Sequence, residues 1–210
     1  MDKYRLGVLD APWQYDNKQQ NDPARGGITY PTLTMEELWN IPIGKAFDKD
    51  AGLVSWITGP KLLDQYYEKY DPISIIRNWG FRPVTLLFVW VKTNKKGQPI
   101  YEETNVEEYD EWYSGLGRYT NSNVELAVYA RKGKGIPRIE KNVKQLIFAP
   151  IGAHSAKPQE QFKRLDRLFG DVSPKIEIFA RKQNPPPSGW DATGLDYDGL
   201  DIRDWIKQYD

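Results

Sequence analysis

The sequence predicts an α/β fold, a three-layer sandwich with helices on both faces of a mostly parallel sheet. Three observations carry this. Short apolar runs of strand length recur at Tyr4 to Leu9, Ala51 to Thr58, Pro83 to Val91, Val124 to Ala130, Gln145 to Ala149 and Pro174 to Arg181. Stretches with helical spacing or helix signals lie between several of them, and strands alternating with helices pack in three layers. The run Val84, Leu86, Leu87, Phe88, Val89 and Trp90 is almost unbroken in its apolar character, the mark of a strand covered on both sides.

The elements follow in order. Tyr4 to Leu9 reads as a strand that ends at Asp10, at the carboxyl end where open α/β sheets hold ligands. Pro12 fixes its own φ and pushes Ala11 toward an extended conformation, so the chain leaves the strand in one direction. Gln14 to Pro31 is polar and rich in Asn, Gln, Gly and Asp, an active-site loop candidate with Gly26 and Gly27 as hinges. Thr34-Met35-Glu36-Glu37 is a capping box that opens a helix carrying Leu38 and Trp39. The second strand stops at Gly59-Pro60. Helical spacing then runs from Lys61 to Trp79, interrupted at Asp71-Pro72 and closed by Gly80. Lys95 to Asn121 is a long polar insertion, acidic in its middle. Lys157 to Phe169 sets Phe162, Leu165, Leu168 and Phe169 on one helical face before Gly170. Gln183 to Gly194 is a Pro-rich loop, and Asp201 to Tyr209 forms a terminal helix. There is no internal repeat, and the 210 residues form one domain, residues 1–210.

Composition excludes several classes. Lys and Arg total 29 and Asp and Glu total 29, so bulk attraction to a polyanion is absent and nucleic acid must be met by a local patch. With 0 Cys and 1 His there is no disulfide frame, no thiolate or multi-histidine metal site and no cysteine nucleophile; no metal is expected. No apolar run approaches the roughly 18–20 residues of a membrane span, and no signal-peptide pattern opens the chain, so a cytoplasmic protein without membrane contact is expected. The dense basic stretch Arg131, Lys132, Lys134, Arg138, Lys141 and Lys144 reads either as a phosphate-tracking loop or as a solvated surface loop.

Three constellations carry chemistry. Asp10-Ala11-Pro12-Trp13 places a carboxylate, a backbone carbonyl and an indole side by side. Such acceptors can take the two N–H hydrogens of an exocyclic amine such as that of adenine and free its lone pair, while Trp13 stacks on the base. The same four residues also suit a plain turn in which Asp caps, Pro bends and Trp packs. His154-Ser155-Ala156-Lys157-Pro158 precedes a helix, where Ser155 and Lys157 suit a carboxylate, or serve as ordinary capping. Lys175-Ile176-Glu177-Ile178-Phe179-Ala180-Arg181 is a strand with an acid near its end, a position that commonly meets ribose hydroxyls. Asn184 adds a hydrogen-bonding group beyond it, and Gly189-Trp190 an aromatic wall.

Taken in order, Asp10-Ala11-Pro12-Trp13, Ile28-Thr29-Tyr30, Thr34-Met35-Glu36-Glu37-Leu38, Trp56-Ile57-Thr58-Gly59, Trp79-Gly80-Phe81, Trp90-Val91-Lys92-Thr93-Asn94, Val124-Glu125-Leu126-Ala127, His154-Ser155-Ala156-Lys157-Pro158, Lys175-Ile176-Glu177-Ile178-Phe179-Ala180-Arg181 and Gly189-Trp190-Asp191 resemble the N6-adenine methyltransferases of the Asp-Pro-Pro-Trp type. That family includes the catalytic subunit of the messenger-RNA adenosine methyltransferase and prokaryotic and phage relatives. The resemblance implies a Rossmann-like class I methyltransferase sandwich with permuted, beta-class motif order, catalysis first and cofactor strand last. It implies S-adenosyl-L-methionine as cofactor and methyl transfer to the N6 amine of adenine, with DNA favoured over RNA. A catalytically silent nucleic-acid-binding subunit of the same fold is the alternative. Asp10, Ala11, Pro12 and Trp13 are then catalytic, with Asp10 also near the cofactor, and Tyr30, Lys92 and Glu125 lie on the substrate side. Ser155, Lys157, Glu177, Phe179, Arg181, Gln183 and Asn184 surround the cofactor. The chain departs from the pattern at Ala11, where the family has its first proline, at Leu195, where it has Asn, and at Gln183, where the human-type enzymes have His. A prokaryotic or phage-infected cytoplasm is expected, and, because 210 residues are few for an enzyme with its own target-recognition module, so is a homodimer or partner subunit that completes the substrate groove.

Overall fold

The computed structural model describes residues 1–14, 31–63, 70–93, 119, 122–152 and 156–209. The insertion at 95–121, apart from Tyr119, and the loop at 14–31, apart from its two ends, therefore lie outside the described residues. Seven strands, β1 (Tyr4–Leu9), β2 (Phe47–Ile57), β3 (Arg82–Thr93), β4 (Val124–Lys132), β5 (Leu146–Pro150), β6 (Lys175–Ile178) and β7 (Asp191–Thr193), form one sheet ordered β5-β3-β4-β2-β1-β6-β7. β1 pairs in parallel with β2 on one side and with β6 on the other. β3 pairs in parallel with β5, and β6 with β7. β4 is antiparallel to both β2 and β3. One edge of the sheet thus gathers the carboxyl ends of six strands and the amino end of β4.

The expected Rossmann-like three-layer arrangement is what the chain adopts. Side chains alternate across the sheet, so Leu53, Ile57, Ile176 and Ile178 face one core and Leu6, Val8, Val54 and Trp56 the other. The first core is covered by α1 (Met35–Asn40), the short α2 (Gly59–Leu62), α3 (Pro72–Asn78) and α5 (Ile202–Trp205), and the second by α4 (Glu160–Phe169), which contributes Phe162, Leu165, Leu168 and Phe169. Both cores are aromatic-rich, with Trp56 and Trp90 fully buried in the second.

Local chemistry explains the boundaries. The capping box forms as expected: Thr34 Oγ1 accepts from Glu37 N–H at 3.1 Å and Glu37 Oε2 from Thr34 N–H at 2.8 Å. Asp71-Pro72, expected as an interruption, is the start of α3, with Asp71 Oδ1 accepting from Ile73 and Ser74 N–H at 2.9 and 3.0 Å. β2 begins at Phe47, four residues before its apolar run, because Asp48-Lys49-Asp50 extends it beyond the core. α4 begins at Glu160, so Lys157 and Pro158 precede the helix. β6 stops at Ile178, since Phe179 takes φ 63° and leaves the extended region. β7 lies within a loop expected to be irregular, and three residues are too few to show a period.

Candidate active site

Alternation along the strands assembles the site. Leu9 and Ile178 face the first core, so Asp10 and Glu177 are carried to the other face, the side of α4. Glu125 pairs opposite Trp90 on β3 and shares the face of Ala127, and Lys92 lies two residues past Trp90 on that face. The segment entering α4 brings Lys157 over the same sheet edge. Five separate parts of the chain thus converge at the carboxyl ends of β1 and β6, neighbouring strands whose onward connections diverge, where ligands bind in open α/β sheets.

The charged groups form a chain of alternating sign. Lys92 Nζ lies 2.6 Å from Glu125 Oε1, Glu125 Oε2 lies 3.1 Å from Lys157 Nζ, and Lys157 Nζ lies 2.6 Å from Asp10 Oδ2. The inner pair is sequestered, with Lys157 and Glu125 side chains 6% and 7% exposed, while Asp10 retains 27%. Lys92 Nζ also sits 5.2 Å from the centre of the Trp90 ring, whose Nε1–H donates to the Ala149 carbonyl at 2.9 Å. Next to this chain, Asp10, Ala156, Lys157, Glu177, Phe179, Arg181 and Asn184 line a narrow, partly open cleft. Glu177 Oε2 is buried there with no hydrogen-bond partner among the described residues.

Burial and charge pull these groups apart. Burial pushes the Asp10 carboxyl up, against the pull of the Lys157 ammonium. Burial also opposes the Glu125 anion, yet Lys157 and Lys92 together outweigh it and hold that carboxyl below its ordinary range. Lys157 is disfavoured as a cation by burial, but Asp10 and Glu125 hold it charged well above the ordinary lysine range. Among the described residues no cation is in contact with Glu177. Burial, and then the charge of Asp10, push it up to about 8 against a partial opposing effect of Lys157, so it carries a proton at neutral pH.

Several expected residues meet here and others do not. Asp10, Lys92, Glu125, Lys157, Glu177, Phe179, Arg181 and Asn184 converge on this edge. The Ala11 carbonyl accepts from Trp13 N–H at 2.7 Å, and the Pro12 carbonyl from Leu33 N–H at 2.9 Å, so the turn is pinned on both sides. Trp13, expected as an open stacking face, is instead 2% exposed in the first core, and its Nε1–H donates to the Trp56 carbonyl at 3.1 Å. A large indole following a rigid turn gains more from packing than from standing in water. Trp190 is likewise no wall: it is buried in the second core, edge-on to Phe162 with ring centres 4.9 Å apart. Gln183 is exposed and does not line the cleft, because the turn that Asn184 N–H closes on the Arg181 carbonyl at 3.1 Å carries it outward. Asn184 itself is spent on structure, its Nδ2 donating to the Lys157 carbonyl at 2.9 Å and its Oδ1 accepting from Gln159 at 2.8 Å. Tyr30 and Ser155 lie outside the described residues.

Two features escaped the sequence reading. Phe179 is partly buried against the cleft at φ 63°, a conformation costing a non-glycine residue about 1–3 kcal/mol and found where a site demands it. Gly194 is the reason the backbone closes behind it. A Cβ there would lie 2.8 Å from the Ala180 carbonyl oxygen and 2.9 Å from its nitrogen. The basic stretch is carried elsewhere, for it begins at Arg131, at the far end of β4 from Glu125. Lys132 in it serves the fold, its Nζ donating to the Gly44 and Phe47 carbonyls at 2.6 and 3.0 Å. Among the described residues no helix is long and apolar enough to cross a membrane.

Comparison with known proteins agrees with this arrangement. The MT-A70 family model matches residues 4–196, which takes in every strand and the whole cleft. A type II methyltransferase, M.MunI, from Mycoplasma sp is 29% identical over 211 residues, covering 92% of this chain and 78% of the relative.

Proposed function

Because the chain belongs to the MT-A70 methyltransferase family, we propose that it transfers a methyl group from S-adenosyl-L-methionine to the N6 amine of adenine, in DNA. The observation that carries the reading is Asp10, a carboxylate at the carboxyl end of a central strand, one oxygen on Lys157 and its side chain 27% exposed beside the cleft. Its task is to accept one N–H of the amine. The Ala11 carbonyl, which spends one lone pair on Trp13 N–H, has a second for the other hydrogen. Trp13 then acts from beneath, fixing the turn through Trp56 so that both acceptors are placed before substrate arrives.

The cleft suits the methyl donor. An amino acid joined to a nucleoside offers a carboxylate, an ammonium and ribose hydroxyls, and the cleft offers both signs of charge together with the unpartnered Glu177 Oε2. Lys157 and Arg181 are assigned to its anionic end and Glu177 to the ribose, with Phe179 packing beside it. When bound, the donor supplies a methyl group already activated by a sulfonium. The protein supplies alignment, an effect worth up to about 7–11 kcal/mol in well-oriented systems. Lys92, Glu125 and Tyr30 are assigned to the substrate side. In a duplex the target base must leave the stack, at a cost of a few kcal/mol.

Likeness to a type II methyltransferase supports methyl transfer by this chain. The test is transfer of labelled methyl groups to matched DNA and RNA oligonucleotides, with the product nucleoside identified. Label in N6-methyladenine of DNA is expected. Label in RNA alone overturns the choice of polymer. No label, with no heat on titrating the donor, indicates a silent subunit. Asp10→Ala should lower transfer at least about a thousandfold while the urea midpoint shows a folded protein; retained turnover would remove Asp10 from its role.

A further inference from the structure

The line of charges behind Asp10 extends further than the cleft. Asp10 and Lys157 border the cleft, but Glu125 and Lys92 do not line it. Among the described residues, the groups facing Glu125 are Lys92 from β3, Lys157 from the segment before α4 and, beyond Lys157, Asp10 from the end of β1. Lys157 bridges two carboxylates among the described residues and sits nearer to Asp10, at 2.6 Å, than to Glu125, at 3.1 Å. That division holds because Glu125 satisfies its other oxygen on Lys92 at 2.6 Å. Lys92 is itself fixed against the Trp90 ring and is largely removed from water, its side chain 15% exposed.

We infer that Lys92 is a positioning residue: by saturating Glu125 it leaves Lys157 on Asp10, and so sets the charge and orientation of the acid that meets the substrate. Without the Lys92 ammonium, Glu125 becomes a buried carboxylate with one cation to share. It either draws Lys157 away from Asp10 or takes up a proton. An opposite charge in contact lowers a carboxyl by about 1–3 pH units, and its removal returns that amount. Glu177 and Arg181 line the cleft with Asp10; Arg181 favours the Asp10 anion and the Asp10 charge acts on Glu177, and both residues stay the same in the variants compared below.

The inference rests on the methyl-transfer reading for its consequence in catalysis, and its test separates the two. Side-chain carboxyl groups of 13C-labelled protein are titrated by NMR in the wild type, Lys92→Met and Lys92→Arg, with the Glu125 signal identified by its loss in Glu125→Gln. The Glu125 midpoint is expected to rise by at least about one pH unit in Lys92→Met and to return in Lys92→Arg. In parallel, kcat/KM for methyl transfer by Lys92→Met should fall about tenfold at pH 7, recover toward pH 9, and be largely restored by the arginine variant. A shifted midpoint with no methyl transfer by the wild type would leave the electrostatic link standing and remove the reaction assigned to it. An unmoved Glu125 midpoint overturns the inference. So does a loss in Lys92→Met that appears only as a raised KM for nucleic acid with a shallower salt dependence, which would make Lys92 a phosphate contact.

Discussion

Glu177→Gln should make the ligand-free protein more stable, and do so only away from acid pH. The folded protein holds the Glu177 carboxyl up to about 8, against an ordinary 4.5. Below 4.5 both folded and unfolded chains carry the proton and nothing is lost. As pH climbs from 4.5 toward 8 the unfolded chain releases its proton while the folded one keeps it, so stability drains away across that window. At pH 7 the loss amounts to about 3 kcal/mol. Solvent relieves little of it, because the residue is only 8% exposed. Glutamine has the shape of the protonated acid and no charge to bury. Urea unfolding of both proteins at pH 4, 5 and 7 should show matched stability at pH 4, a gain for Glu177→Gln of less than about 1 kcal/mol at pH 5, and a gain of up to about 3 kcal/mol at pH 7, or roughly 6–12 °C in Tm. Calorimetry with S-adenosylhomocysteine should show the same variant binding about tenfold more weakly, since an acceptor offered to ribose has been altered. A difference between the two proteins that is the same at every pH would refute the argument, because burial of a neutral carboxyl predicts a pH-dependent one.

Two further outcomes follow from the same geometry. Lys157→Met leaves Asp10 and Glu125 buried without their shared cation, so stability at neutral pH should fall by about 3–5 kcal/mol and recover in part at pH 5 as the carboxyls take up protons, which urea unfolding will read. Gly194→Ala forces a methyl group to within 2.8 Å of the Ala180 carbonyl oxygen, and should cost about 1–3 kcal/mol together with a measurable loss of donor affinity by calorimetry.

The sequence spoke most clearly where chemistry is local. The capping box at Thr34, the strand ending at Asp10 and the apolar face of α4 were all visible because each is written within a few neighbouring residues. That Asp10 and Glu177 share a face follows from counting by two along β1 and β6. That these strands are neighbours does not, since no nearby residue encodes a partner so distant in the chain. In the sequence Lys92 and Glu125 are two separate substrate-side residues. Their pairing depends on the antiparallel register of β3 and β4, which only the assembled sheet defines. Trp13 illustrates the opposite failure: an indole after a rigid turn suits an open stack or a packed core equally well, and the decision belongs to the Trp56 carbonyl on a different strand. The φ of Phe179 had no local signal at all, for the close approach of Gly194 behind it comes from the residue just past β7.

The pairing of β1 with β6 has a consequence for how the protein is made. Val8 finds its neighbour at Glu177, so β1 waits for about 170 further residues to be made before its second side is covered. At about 5–20 residues per second that delay is of the order of ten to thirty seconds. Until then Asp10 has no wall opposite it, and the cleft that Asp10 shares with Glu177 does not yet exist.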